Sequence, residues 1–460
     1  MTRSLIGLVD LIDLIDLITP APSHSVRRRV RTGAPQIGSA GRIIMSRTRT
    51  RALLSGSVLV AAGLAVAQVL AYLLNLVAAR VLGPQQFGAF AALMSVMLIA
   101  GTVGLGLQAA SSKRLVASNE SDRAATANGL LRFGVKVALL LGAVVLLASP
   151  LVSAVLRLDS VWLAVLVAGT IAIFTLGGAQ LGVAQGAERF GRLGSLYGSV
   201  QLCRSIGAIG GAVLGHTLAG TLAGLLLGTA AGVAVGQFIV APLVSSPALP
   251  VPSIGPETWH ASHALLALFV LTNMDVLMAR FFLTADQAGL YAVGVLIAKV
   301  AFFLPQFVIV TAFPTMSRQQ DRRSVLFAAG VTAMIGLTVT VVVAAAGPLV
   351  VAMVGGSQYQ ELNSEAWLFA AEGALFAVAQ VLLYGQVARG NRWAVVFLWA
   401  AGLVFLVSVA AGPHDAVLTL VVTAVLVALA VVIAGIVSTV LARRSVAPLT
   451  LSEIGEFLEQ

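Results

Sequence analysis

From residue 53 to residue 441 the chain is a succession of apolar runs, each about 20 residues or longer, joined by short polar stretches. A run of about 20 residues in a helix crosses the roughly 30 Å hydrocarbon core of a bilayer. Length alone, at 460 residues, would suggest about three soluble domains. Only 10% of the residues are charged and 59% are hydrophobic, against about 25% charged in soluble domains. So apolar a chain has too little polar side chain to cover soluble surfaces. The expectation is an all-α integral membrane protein with about 12 transmembrane helices.

The spans fall at roughly 53–79, 87–110, 133–156, 160–184, 193–215, 217–243, 260–283, 289–315, 325–354, 365–388, 393–411 and 415–441. Many of the 46 glycines lie in them, which suits close helix–helix approach in lipid. Residues 1–52 read differently. The short repeat Leu11-Ile12-Asp13-Leu14-Ile15-Asp16 is followed by Arg27, Arg28, Arg29, Arg31, Arg42, Arg47, Arg49 and Arg51 among Pro, Ser and Gly. Nothing there buries a core, so this basic segment is expected to be disordered, and Met45 is an alternative start. Its apolar part precedes its basic part, the reverse of a secretory signal. Residues 442–460 form a tail.

Basic residues orient the spans. Alternate loops hold Lys113, Arg114, Arg123 and Arg132; Arg189 and Arg192; Arg318, Arg322 and Arg323; Arg389 and Arg392; and the tail holds Arg443 and Arg444. The intervening loops and helix ends hold only Arg80, Arg157 and Arg280. By the positive-inside rule the first set is cytoplasmic, as are both termini. The 244–258 stretch, with Pro247, Pro250, Pro252 and Pro256 and no basic residue, reads as a cytoplasmic linker between an N-lobe at 53–243 and a C-lobe at 259–441.

The two halves repeat one another. Asn75 to Arg80 is matched two hundred positions later by Asp275 to Arg280. Each continues through a polar turn into Gly plus an aromatic, at Gly83-Pro84-Gln85-Gln86-Phe87-Gly88-Ala89-Phe90 and Thr284-Ala285-Asp286-Gln287-Ala288-Gly289-Leu290-Tyr291. Each next span ends at a basic loop, Lys113-Arg114 or Arg318. Six spans per half give the copies the same orientation, a parallel repeat about an axis along the membrane normal.

The stretch Ala79-Arg80-Val81-Leu82-Gly83-Pro84-Gln85-Gln86-Phe87-Gly88 resembles the hallmark after the first helix of polysaccharide and lipid-linked oligosaccharide flippases. Asn273, Asp275, Asp286 to Tyr291, Lys299 and Phe313-Pro314 resemble the start of their second lobe. These proteins belong to the multidrug/oligosaccharidyl-lipid/polysaccharide exporter superfamily. The resemblance implies two pseudo-symmetric six-helix lobes around a central cavity. It also implies alternating access for a polyprenyl-diphosphate-linked oligosaccharide in the bacterial cytoplasmic membrane, serving cell-envelope polysaccharide biosynthesis. A polymerase and glycosyltransferases are partners implied by the family alone. The lipid II branch typically carries two further helices that this count does not contain.

Ionisable groups inside spans are costly, about 2.5–3.5 kcal/mol each on insertion scales, and so mark candidate sites. Arg204 and Lys299 lie deep, and Arg80 and Arg280 lie at matched helix ends. Together they are candidates for a cationic cavity that replaces the hydration of a diphosphate. For Arg80 and Arg280 the competing reading is snorkelling to headgroups. Asp275 either binds a coupling cation or proton, or pairs with Lys299. Glu372, a turn into its span, is a second coupling candidate or simply faces outer water. Gln108, Gln180, Gln201, Gln237, Gln306 and Gln380 suit interhelical hydrogen bonds. Tyr72, Trp162, Tyr197, Tyr291, Trp367, Trp393 and Trp399 suit packing or interfacial anchoring.

The lone Cys203 and five scattered His give no disulfide and no metal-ligand spacing, so neither a metal nor a cofactor is expected. A membrane enzyme would need paired acid/base carboxylates, usually on a sizeable loop. The longest outer loop, around 355–364, offers Glu361 and Glu365. Two alternatives to the flippase stand: a cation-coupled multidrug exporter of the same superfamily, which favours an acidic cavity, and a non-transporting membrane scaffold.

Overall fold

In the computed structural model the described residues are 39–244, 248–249, 263, 265–305, 322–388, 393–412 and 416–441, with side chains from Leu59 onward. Residues 1–38, most of the 244–258 linker, Gln306, Phe313, Pro314, Arg318, Arg389, Arg392 and the 442–460 tail lie outside them, as does the side chain of Trp393.

The helices, in chain order, are α1 (Ser39–Val116), α2 (Arg123–Val155), α3 (Val161–Gly186), α4 (Phe190–Gly215) and α5 (Leu218–Val240) in the first half. The second half has α6 (Leu265–Leu271), α7 (Met274–Phe282), α8 (Ala285–Phe303), α9 (Arg322–Ala345), α10 (Gly347–Val354), α11 (Ala366–Ala388), α12 (Trp393–Ala411) and α13 (Val417–Leu441). Short 3-10 turns cover Ala241–Leu243 and Ser357–Leu362.

These helices accommodate the twelve expected spans. Eight are long and apolar enough to cross a membrane, and the bent α6–α7 pair makes a ninth. Spans one and two are both in α1, which breaks at Gly83 (φ 70, ψ 173) followed by Pro84. Gly tolerates that positive φ, and Pro at the start of the second arm lacks the amide hydrogen that would go unpaired there. The arms fold back on each other along α4. The Leu59 backbone lies against Gly194, and Gln108 bonds Tyr197, so both outer ends of α1 meet the start of α4. Ser205 Oγ donates to Leu70 O, and Arg204 reaches Met97, at mid-level. Gln86 accepts from the Leu218 amide, just beyond the end of α4. Spans five and eleven are α4 and α12. Spans nine and seven are interrupted, the first at Ala346, before Pro348, and the second by a 41° bend. At that bend Thr272 and Asn273 donate to the carbonyls of Leu268 and Phe269, four residues back. The Asn273 side chain thus satisfies the Phe269 carbonyl, which the Asn273 amide leaves for Val270 O, while the Thr272 hydroxyl shares Leu268 O with its own amide.

The first helix begins at Ser39, inside the segment expected to be disordered. Ala, Met and Arg there are good helix formers, and extending a nucleated helix costs little.

Close packing follows from small residues. On α4 and α5 a Cβ at Gly211 would face the Gly220 carbonyl and sit 3.2 Å from Gly224 Cα, so the two backbones nearly touch. In lipid such approach replaces the hydrophobic drive that would hold helices together in water. Exposed Leu, Val and Phe cover the outside, with Leu147, Leu214 and Phe238 among the most exposed.

Lys113, Arg114, Arg123, Arg189 and Arg192 occur at one end of the first-half bundle, the basic face: Gly186 packs on Ser112 there, and Arg192 donates to Ile239 O at the end of α5. Arg80, Arg157 and Arg280 belong to the opposite, far face.

Candidate functional site

The second half holds a buried acidic cluster. Asp275 is in the first turn of α7, just past the bend, Tyr291 and Lys299 are on α8, and Glu372 is on α11. Gly373 brings α11 against the Ala298 backbone, 2.9 Å from a built Cβ to Cα, and this seats Glu372 beside the helix that carries Lys299. Asp275 is 5% exposed, Glu372 1% and Tyr291 0%, while Lys299 is half-buried. Asp275 interacts electrostatically with Lys299, Glu372 and Tyr291, and Tyr291 also with Glu372. Both Glu372 oxygens, Asp275 Oδ1, Asn273 Oδ1 and Tyr291 Oη have no hydrogen-bond partner among the described residues. Unpaired buried oxygens are costly, which makes the cluster a candidate site for a cation or a proton.

The structure therefore brings together three expected residues, Asp275, Lys299 and Glu372, without closing a contact ion pair among the described residues. Glu372 does not face outer water, because the approach of α11 to α8 encloses it. Tyr291, expected to pack, faces the acids as well as stacking edge-on against Phe369 at 5.0 Å. Asn273 is the residue that sequence reasoning took only as part of the family motif. Its signal was a Thr272-Asn273 pair in the middle of an apolar run.

Arg204 stands apart, inside the first half. It is 7% exposed, with Nη2 3.6 Å from Met97 Sδ and 4.0 Å from Met94 Sδ, and its Cζ is 5.5 Å from the Phe174 ring centre. Nε has no partner, and no carboxylate pairs with the guanidinium among the described residues. Sulfur and a ring face are soft neighbours for a cation, but they do not neutralise it.

Arg80 and Arg280 do not join Arg204. Arg80 Nη2 donates across to the other half, to Met353 O at 2.6 Å and Ala352 O at 3.5 Å, in the last turn of α10. Arg280 reaches the opposite way, from Nε to Leu156 O at 2.9 Å and from Nη2 to Arg157 O at 3.1 Å, just past the end of α2. Neither is a free headgroup anchor. Around them Tyr359 Oη donates to Ala79 O at 2.9 Å, Gln85 Nε2 donates to Asp286 Oδ2 at 3.1 Å, and Phe87 meets the Tyr359 ring edge-on. The two copies of the Gly-aromatic motif touch: a Cβ on Gly88 would come 2.8 Å from Gly289 N.

The glutamines divide. Gln108 bonds Gln185 and Tyr197, and Gln180 bonds Gln237 and Val233 O, all between helices as expected. Gln201 bonds Ser205 on its own helix. Gln380 lines a small, mostly apolar pocket within the second half, with Leu268, Thr272, Phe302, Gln386 and Ser438.

The fold matches the lipid II flippase MurJ in an inward closed conformation, with a TM-score of 0.68 and 9% identity over 84% of this chain and 88% of that one. It matches an inward-facing multidrug resistance MATE family transporter of the MOP superfamily, with a TM-score of 0.60 and 14% identity over 84% of this chain and 100% of that one. The Vibrio cholerae MATE transporter VcmN gives a TM-score of 0.58 at 14% identity over 86% and 97%. At such identities the likeness is one of fold: helices only among the described residues, arranged as in those transporters. No curated protein sequence matches the chain. A family model described as "Polysaccharide biosynthesis protein" matches residues 53–320. That match takes in more than half of the chain, both copies of the repeated motif and the first helices of the second lobe, and it shows that the chain belongs to the polysaccharide biosynthesis protein family.

Proposed function

We propose that this multi-pass membrane protein is a flippase. It would carry a polyprenyl-diphosphate-linked oligosaccharide across the bacterial cytoplasmic membrane by alternating access, for cell-envelope polysaccharide biosynthesis. The basic face is cytoplasmic on this reading, and the far face is outer. The observation that carries it is Arg204. A guanidinium buried among Met94, Met97 and Phe174 with no carboxylate partner among the described residues is poised to gain its counter-charge from an anionic ligand. A diphosphate offers several acceptor oxygens in the geometry that a guanidinium fork prefers. The polyprenyl tail stays in lipid while the headgroup passes between the lobes. The Asp275–Glu372–Tyr291 cluster, with Lys299 beside it, is the coupling site, where a cation or proton exchanges as the lobes rock. Envelope polymerases and glycosyltransferases would act before and after transport.

The same acidic cluster favours a second reading, a cation-coupled exporter of cationic drugs. Reconstitution separates the two. Purified protein in liposomes is given a fluorescent undecaprenyl-diphosphate oligosaccharide, and headgroup exposure is followed for wild type and Arg204→Met. Transport that Arg204→Met abolishes supports the flippase reading. No lipid-linked sugar movement under any ion gradient, with export of a cationic dye against a proton gradient, would overturn it in favour of the exporter.

A further inference from the structure

Arg80 and Arg280 occupy the same place in the two copies of the internal repeat, at the far-face ends of spans one and seven. Their acceptors are also related by the repeat. Arg80 takes the last carbonyls of α10, which ends span nine, the third span of the second half. Arg280 takes the carbonyls just past α2, which is span three, the third of the first half. Each arginine thus crosses from its own lobe to the matching helix end of the other lobe. Arg80's acceptors are orphan carbonyls of the last turn of α10, which carry the helix's partial negative charge, and Arg280's are the carbonyls of the C-cap Leu156 and of Arg157 after it, at the same end of α2. A guanidinium satisfies two of them at once and is held by the dipole as well as by hydrogen bonds.

We propose that Arg80 and Arg280 are a symmetry-related pair of latches that lock the far-face mouth, which opens only when both guanidiniums let go of the opposite lobe. The proposal rests on the alternating-access reading but not on the identity of the substrate. The surrounding contacts share the seam. Tyr359 to Ala79 and Gln85 to Asp286 are bonds between the same two lobes at the same end. They differ from the latches in lacking a full cationic charge and a helix terminus. Arg280 is 8% exposed whereas Arg80 is exposed, so the second-lobe latch is the better shielded and the stronger of the two. Arg157, whose carbonyl Arg280 holds, also lies 5.9 Å over the Phe281 ring, next to Arg280 in sequence, so the turn after α2 is pinned from both sides.

The test measures the width of the mouth directly, without substrate. Full-length protein with Cys203→Ser carries spin labels at Val161→Cys in the first lobe and Ser364→Cys in the second. Distances are read by pulsed electron resonance in lipid nanodiscs. Arg80→Ala and Arg280→Ala are each expected to raise the open-to-closed ratio about tenfold or more, Arg280→Ala by the larger factor, and the double variant further still. If either alanine variant fails to fold, Arg80→Lys and Arg280→Lys keep the charge but cannot span two carbonyls, and a smaller shift in the same direction is expected. An unchanged distance distribution in the folded double variant, alanine or lysine, overturns the latch. Sugar transport is scored separately in liposomes, so a failed flippase reading and a failed latch give different results.

Discussion

Gly289→Ala offers a sharp test of how the far-face seam is built. A Cβ added there would come 2.6 Å from Pro84 Cα, and the neighbouring atoms are backbone of the opposite lobe rather than the tip of a movable side chain. Ordinary carbon contact needs about 3.5 Å or more, so the lobes must part locally by about 1 Å. Close-packed interiors do not absorb such a shift, and overpacking of this kind costs about 1–3 kcal/mol. The cost falls on the closed mouth and not on a state in which the motifs have separated. The closed-to-open ratio should therefore fall roughly 5- to 150-fold. Hydrogen–deuterium exchange in nanodiscs reads this as faster exchange confined to residues 80–90 and 281–291, with α13 unaffected. Gly330→Ala is the control, because nothing lies within 4 Å of its Cβ position and Ala is the better helix former. Unchanged exchange in both segments of a folded Gly289→Ala protein would refute the argument that backbone contact sets the closure.

Glu372→Gln removes a buried ionisable carboxyl whose oxygens have no hydrogen-bond partner among the described residues. Its thermal stability should equal that of wild type or exceed it by about 1–2 kcal/mol, while the cation dependence of transport disappears. A clear fall in melting temperature would show that the carboxylate is neutralised by a partner instead. Gly211→Val forces a branched side chain between α4 and α5, where Gly220 and Gly224 leave no room, and should cost about 3 kcal/mol. The readout is loss of the monodisperse peak after mild heating; an intact peak would mean that α4 and α5 can separate freely.

What the sequence made legible was whatever depends on local chemistry. Apolar run length located the spans, and Gly83-Pro84 marked the turn between the first two. The repeat located Arg80 and Arg280, and the lone acids and bases within spans picked out Asp275, Lys299 and Glu372. What it hid depends on docking between distant segments. Arg80 and Met353, 273 positions apart, are brought together by contact between the two halves, so the carbonyl acceptor has no signature near the arginine. Hydropathy read Glu372 as close enough to a helix end to reach water, because the contact of Gly373 with Ala298 is invisible in a linear profile. The hydroxyl of Tyr291 looked like packing for the same reason. The bend in span seven was written in Thr272-Asn273, two polar residues able to replace backbone hydrogen bonds, but a search for apolar length passes over such a pair.

The meeting of Gly88 with Gly289 makes the seam an isologous interface inside one chain: patch and partner are two editions of the same segment. In a true homodimer any substitution there would be imposed on both sides at once. A duplicated chain is free of that constraint and can change one side only. This chain has done so away from the seam, with Arg204 in one lobe and Asp275 and Glu372 in the other, while keeping the mouth nearly symmetric. On the proposed reading, duplication lets closure remain a shared, two-sided event while binding and coupling fall to individual lobes.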